Sequence, residues 1–214
     1  MNTKDDLSPL FPVVELFESV QGEGANAGLL VSFLRLGGCN LSCQWCDTDS
    51  SVFQMMDIST ILKRLSTFRV RRLILTGGEP LIHPTLETLL ASLKGAGYWI
   101  ALETNGLINP IAPVRRFLDY IATSPKAHAT SGYHEDRMIR HADEVRIVVD
   151  GDVFEFCKEM RTKIEAKHYF LSPCFRDGKM NVSETLSLLK RLNVDCHEMP
   201  WRLSLQTHKL IGVP

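Results

Sequence analysis

Six short apolar runs, rich in Val, Ile and Leu, alternate along the chain with stretches of helical period, and this order limits the possible folds more than any other feature. The runs cover residues 31–38, 72–80, 99–106, 118–126, 144–152 and 168–174. Between and after them, residues 58–68, 83–97, 153–163 and 181–192 repeat apolar side chains at helical spacing, the last behind Asn181 or Ser183 as a cap. Strand-then-helix repetition predicts parallel strands covered by helices. About six strands are too few for a closed eight-unit barrel, so an α/β fold with a partial, open parallel β/α barrel or a twisted parallel sheet is expected. Residues 106–117 hold two prolines and little periodicity, which predicts a short or missing crossover helix. No linker, repeat or low-complexity tract interrupts the pattern, so residues 1–214 are expected to form one domain.

The residues at the strand ends are unusual. GGCNLSC, TGGEP, ETNG, TSPK and LSPC each follow an apolar run, hence stand at the carboxyl edge of the expected sheet, where α/β folds build their sites. Lys and Arg number 24 against 25 Asp and Glu, a balance that offers no global attraction to nucleic acid or to an anionic membrane. No apolar run is long enough to span a membrane, and the acidic N-terminus does not read as a secretory signal, so a cytoplasmic enzyme is expected. In that setting the six cysteines suggest metal or redox chemistry over disulfides. Cys157, Cys174 and Cys196 are scattered and read as small buried hydrophobes. Cys39, Cys43 and Cys46 are spaced C-x3-C-x2-C. A structural zinc site wants four ligands, here conceivable only with Asp47 or a distant His; a 4Fe–4S cube with three thiolates leaves one iron open to a small molecule.

With CNLSCQWC followed by Gly77-Gly78-Glu79-Pro80, the chain resembles the radical S-adenosylmethionine enzymes. The resemblance implies the cluster on Cys39, Cys43 and Cys46, S-adenosylmethionine chelated at the open iron, and reductive cleavage to a 5′-deoxyadenosyl radical. Gly77 and Gly78 would let backbone approach the cofactor closely, and Glu79 or nearby carbonyls would accept from its ammonium. Trp45 offers a face near the adenine, or simply packs the loop.

Further stretches narrow the resemblance: ESVQGEG at residues 18–24, the tail Cys46-Asp47-Thr48, ETNG, TSPK, and WRLSLQTHKLIGVP at the end of the chain. Together they are similar to the 7-carboxy-7-deazaguanine synthase family of the queuosine pathway, from about residue 14 to 214, most weakly over residues 50–70. The family resemblance implies conversion of 6-carboxy-5,6,7,8-tetrahydropterin to 7-carboxy-7-deazaguanine with loss of ammonia, through hydrogen abstraction at carbon 6, ring contraction and regeneration of S-adenosylmethionine. It implies Mg2+ on Thr48, a residue that elsewhere would read as a cap or turn. Val20, Gln21 and Gly22, within an N-terminal substrate segment at 14–28, match substrate contacts, as do Arg35 and Thr76. An outward salt bridge is the alternative for Arg35. Gly78, Ser124-Pro125-Lys126, and Trp45 with Cys46 and Asp47 match cofactor contacts, with Ser172 and Pro173 beside the adenine or ribose. Glu103 is expected near substrate or cofactor and is the one candidate catalytic side chain.

The apolar run ending at Pro214 is expected to fold back as a cap over residues 196–214, with His208 and the terminal carboxylate accepting from the guanidine-like edge of the pterin; a strand that merely packs is the alternative. His83, His128, His134, His141, His168 and His197 read as surface or supporting residues. Only nine residues, 49–57, separate Thr48 from the first helix, little material for docking the expected electron donor, a flavodoxin. The family suggests a homodimer. The rival readings are a glycyl-radical activating enzyme, which needs neither QGEG nor Thr48, and a non-catalytic zinc or iron–sulfur module.

Overall fold

The structure, a computed structural model, describes residues 8–194 and 199–214. Cys196 and His197, and with them the first residues of the expected C-terminal cap, lie outside the described residues.

A nine-stranded sheet forms the frame. Its strands are β1 (Leu10–Val20), β2 (Leu30–Leu36), β3 (Gln54–Asp57), β4 (Arg72–Gly77), β5 (Trp99–Thr104), β6 (Tyr120–Thr123), β7 (His141–Val149) and β8 (Glu165–Pro173). A two-residue hairpin, β9 (Phe175–Arg176) and β10 (Lys179–Met180), precedes the last strand, β11 (Trp201–Leu203). The spatial order is β11-β8-β7-β6-β5-β4-β2-β1-β3. The stretch from β2 to β11 runs parallel in chain order, as repeated β/α units dictate. It contains the six expected strands and a seventh, β11, whose three residues are too few to show a period. β1 pairs antiparallel with β2 and carries β3 on its outer edge. The QGEG segment therefore spans the tight connection between β1 and β2.

Helices α1 (Ile58–Ser66), α2 (Leu86–Gly95), α4 (Phe154–Lys163) and α5 (Val182–Asn193) cover one face. The crossover from β5 to β6 holds only α3 (Ala112–Arg115), and that from β6 to β7 a 3-10 stretch, Ala127–Gly132. α1 starts on Asp57, whose carboxylate accepts from the Thr60 N–H at 2.6 Å. Asn181 stands at the cap of α5, but its side chain accepts from Cys174 N at 2.7 Å and donates to Val149 O at 2.8 Å, tying the ends of β7 and β8 together. Among the described residues no helix is long and apolar enough to cross a membrane.

Side chains alternate across each strand. Leu34 and Leu36, Leu73 and Leu75, Ile100 and Leu102, and Val145 and Ile147 enter the main core, with Ile61, Leu65, Leu89, Leu93, Phe156 and Met160 from the helices. The opposite face is layered by register. Phe33, Ile74 and Ala101 form a small apolar floor with Tyr120 against it. Two residues further toward the carboxyl edge, Arg35 pairs with Thr76, Glu103 with Ala122, and Ala122 with Glu144. The apolar layer gives way to a polar one at the edge where the loops converge.

Candidate active site

β2 ends in Gly37 and Gly38, the latter at φ +81°, and delivers the chain into the cysteine loop. Cys39 and Cys46 are exposed, Cys43 is half-buried, and all three are free thiols. Partial enclosure raises Cys39 and Cys43 above the usual thiol value. The GGEP loop is braced against the root of this loop: Gly78 N donates to Leu36 O at 3.0 Å and Glu79 N to Gly38 O at 2.9 Å. Gly77 has φ +143°, and a Cβ there would lie 2.0 Å from Leu36 O; a Cβ on Gly78 would lie 1.9 Å from Gly38 O. The two glycines are thus required by one backbone lying on another. Glu79 is fully buried beneath them and accepts from Leu81 N, Thr104 Oγ1 and Asn105 N at 2.7–3.0 Å. Burial raises its pKa, and its carboxylate ties the second and third loops together.

Above these loops lies a cavity of about 520 Å³. All three cysteines, Trp45, Asp47, Thr48 and Gly78 border it, together with Val20, Gln21, Arg35, Thr76 and Glu103. Ser124, Lys126, His208 and Pro214 also reach its wall. Gly22, Glu79, Pro125, Ser172 and Pro173 do not reach it. Ser172 is buried at the end of β8 with its hydroxyl unpartnered, and Pro173 is buried beside it.

Arg35 divides its guanidinium between two oxygens. Nε donates to Glu15 at 3.0 Å, and one terminal nitrogen donates to Thr48 Oγ1 at 3.1 Å. The outward pair is therefore present together with an inward contact. Lys126 donates to Ser124 Oγ at 2.7 Å and sits 5.0 Å over the Trp45 ring, while the indole N–H donates to Asp150 at 2.7 Å. Trp45 is held edge and face, so it packs the loop and borders the cavity at once. Burial lowers the Lys126 pKa.

Glu103 is the most heavily supported side chain in the cavity. Oε1 accepts from Gln21 at 3.1 Å and from Arg146 at 2.6 Å, and Oε2 accepts from Thr76 at 3.0 Å. Burial alone would raise its pKa, but the Arg146 charge and these donors together hold it below the usual carboxylate value. Arg146 also donates to Glu23 at 2.7 Å and pairs with Glu144 at 3.0 Å, with 5% of its own side chain exposed. Glu23 goes the other way: burial raises it, Arg146 only partly offsets this, and Glu103 adds to the rise.

The end of the chain closes over this face. Thr207 donates to Gly22 O through its N–H at 3.1 Å and its hydroxyl at 2.9 Å, and Ser19 Oγ donates to Pro214 O at 2.6 Å. Lys209, on the short helix α6 (Thr207–Ile211), pairs with Asp47 at 2.5 Å. Gly212, at φ +71°, ends α6 in the left-handed conformation that glycine adopts without strain. Burial, with Lys209 nearby, lowers the His208 pKa against the opposing pull of Asp47 and Glu103.

Arg146, Glu23, Glu144 and Lys209 were not singled out from the sequence. The available signal was Arg146 itself, a charge inside the apolar run VRIVV, where an unpaired arginine would be costly.

The chain matches the Radical SAM superfamily over residues 34–162 and belongs to it. Its fold agrees with the crystal structure of QueE from Escherichia coli, with a TM-score of 0.65 at 22% identity, covering 92% of this chain and 93% of that one. It is 52% identical to 7-carboxy-7-deazaguanine synthase of Neisseria meningitidis serogroup B over 207 residues, 96% of this chain and 95% of the relative. It is 48% identical to the protein of that name from Haemophilus influenzae over 213 residues, 100% of this chain and 99% of the relative. The chain is a member of the 7-carboxy-7-deazaguanine synthase family. Superfamily membership implies a 4Fe–4S cluster and S-adenosylmethionine, and three free thiols on one loop bordering one cavity suit an open-site cluster. The zinc-module and glycyl-radical readings are not favoured.

Proposed function

We propose that this chain converts 6-carboxy-5,6,7,8-tetrahydropterin to 7-carboxy-7-deazaguanine with loss of ammonia, using S-adenosylmethionine. The observation that carries the proposal is a single cavity bordered both by the three cysteines and by Gln21, Arg35, Thr76, His208 and Pro214. The names of the relatives at 52% and 48% identity support it.

Cys39, Cys43 and Cys46 would hold the cluster, which supplies the electron that cleaves S-adenosylmethionine and so starts hydrogen abstraction. Ser124, Lys126 and Trp45 border the cofactor's side of the cavity, and Gly78 keeps the GGEP carbonyls beside the cysteine loop. Arg35 is placed to pair with the substrate carboxylate. Thr48 Oγ1 is a hard oxygen donor next to it, and one hydroxyl suits a Mg2+ that keeps water and shares a substrate carboxylate. His208 borders the cavity and accepts from an N–H group of the pterin, with Pro214 beside it. The closed C-terminal segment excludes water from the reacting face. Glu79 acts from behind the wall, by tying together the loops that form it, and Pro125, Ser172 and Pro173 stand outside the lining.

The electron comes from an external donor of the flavodoxin type. Exposed Val52, Phe53 and Met55 beside the edge strand β3 support self-association as a homodimer.

The test is turnover by the anaerobically reconstituted chain with S-adenosylmethionine, dithionite, Mg2+ and the carboxypterin. A deazaguanine product is expected. An iron-loaded protein that forms none would refute the proposal.

A further inference from the structure

We infer that Arg146 is a positioning residue for substrate recognition, holding Glu23 and Glu103 side by side as an anionic face that takes the N–H edge of a planar heterocycle. The inference rests on the proposed reaction for the identity of that heterocycle.

Arg146 donates from its two terminal nitrogens to Glu23 at 2.7 Å and Glu103 at 2.6 Å, and its Nε, which makes no hydrogen bond, lies 3.0 Å from Glu144 as an ion pair. A guanidinium is planar and rigid, so partners on its two terminal nitrogens are fixed relative to each other as no lysine would fix them. Glu144, two residues before Arg146 on the same face of β7, is not among the residues bordering the cavity and is otherwise engaged, accepting from Ala25 N at 2.7 Å and Tyr120 OH at 2.9 Å. It flanks Arg146 along the strand. Glu23 and Glu103 face the cavity. Glu103 is further locked by Gln21 and Thr76, and Gln21 in turn accepts from Glu23 N at 3.1 Å, so the QGEG segment and the sheet share one network.

Three carboxylates surround one guanidinium, so the cluster carries more negative than positive charge. A buried excess of this kind needs donors from a ligand, or a proton. Glu23 and Glu103 belong to opposite flanks of the Arg146 fork and border the same cavity, which suits a ligand with adjacent N–H groups. Arg35 stands across the sheet on β2, four strand positions from β7. The cavity wall thus carries Arg35 as well as the carboxylates of Glu23 and Glu103. A heterocycle with a carboxylate at one end and an amidine-like edge at the other has a partner for each on this wall, Arg35 for the first and the carboxylates of Glu23 and Glu103 for the second.

The experiment compares wild type with Arg146→Lys, Arg146→Met and Glu23→Gln, each reconstituted with cluster. Iron content and the spectral change on adding S-adenosylmethionine serve as folding controls, and KM for the carboxypterin is read separately from kcat. Losing one or two charge-assisted hydrogen bonds is expected to raise KM about ten- to a hundredfold in all three, with kcat falling less. Arg146→Lys keeps the charge but not the fork and is expected not to rescue. Full rescue by Lys, or an unchanged KM in Glu23→Gln, would overturn the inference, as would loss of iron in all three variants, which would assign Arg146 to folding. Wild type that fails to turn over the pterin would refute the proposed reaction itself; wild type that turns it over beside variants of unchanged KM would refute only the role of Arg146.

Discussion

Replacing Gly78 with Ala tests how the GGEP loop and the cysteine loop depend on each other. The added Cβ would lie 1.9 Å from Gly38 O, 2.5 Å from Gly38 C and 2.9 Å from Cys39 Cβ. Two of these three are backbone atoms, so no flexible side chain can swing aside. Restoring ordinary contact, at 3.4 Å or beyond, requires the loops to part by about 1.5 Å. That movement breaks the hydrogen bonds from Glu79 N to Gly38 O and from Gly78 N to Leu36 O, each worth about 1 kcal/mol, on top of about 1–3 kcal/mol for overpacking. The expected destabilisation is about 3–5 kcal/mol, a large part of a typical domain's stability. In thermal unfolding of the metal-free protein this corresponds to a fall in Tm on the order of 10 °C. In the reconstituted protein, iron content should fall as well, because Cys39 moves with Gly38. A variant with wild-type Tm and full iron loading would refute the claim that these glycines serve backbone packing.

Other consequences follow from neighbouring contacts. Gly22→Ala would place a Cβ 1.9 Å from His208 Nδ1, the end of a side chain that can turn, so KM for the pterin should rise while Tm changes little. Lys209→Met removes a pair whose Asp47 partner is 58% exposed, so its cost in stability should stay under about 1 kcal/mol by denaturant titration. The same variant should speed proteolytic trimming of the C-terminus, because α6 loses its tie to the cysteine loop. Burial pushes the Cys157 thiol up to about 12, so mass spectrometry after iodoacetamide at mildly alkaline pH should find the three loop cysteines modified in metal-free protein and Cys157 untouched. By linkage, the unfolded chain releases the Cys157 proton from its ordinary value of 9.0 upward while the folded chain keeps it. Stability should therefore decline as pH rises from 9.0 toward 12, with Cys157→Ala removing that part of the slope.

The parallel frame was legible because each strand is a short apolar run closed by Gly, Pro, Asn or Ser, and because α1, α2, α4 and α5 carry clear helical periods. β11 was not, since three residues show no period and its pairing with β8 is decided by tertiary packing. β1 was also missed as a strand: eleven residues containing Pro12 and two glutamates have mixed burial, and the antiparallel register to β2 is set by the QGEG turn. At the site, motifs identified loops but not the function of individual atoms. Gly78 was expected to admit the cofactor, whereas its missing Cβ first admits the backbone of Gly38. Glu79 or nearby carbonyls were expected to accept from the cofactor's ammonium; the Glu79 carboxylate accepts from Leu81, Thr104 and Asn105. Arg146 escaped notice because two of its partners, Glu23 and Glu103, come from distant segments that only the folded chain brings to it, while Glu144 lies two residues away on β7.

The most direct test of a shared cavity for both reactants is isotope transfer. Carboxypterin deuterated at carbon 6 is turned over with unlabelled S-adenosylmethionine, and the cofactor is recovered and analysed by mass spectrometry. Deuterium in the recovered S-adenosylmethionine, alongside deazaguanine product, is the predicted result. Product formed with no deuterium in the cofactor pool, or no product from iron-loaded protein, would contradict the account.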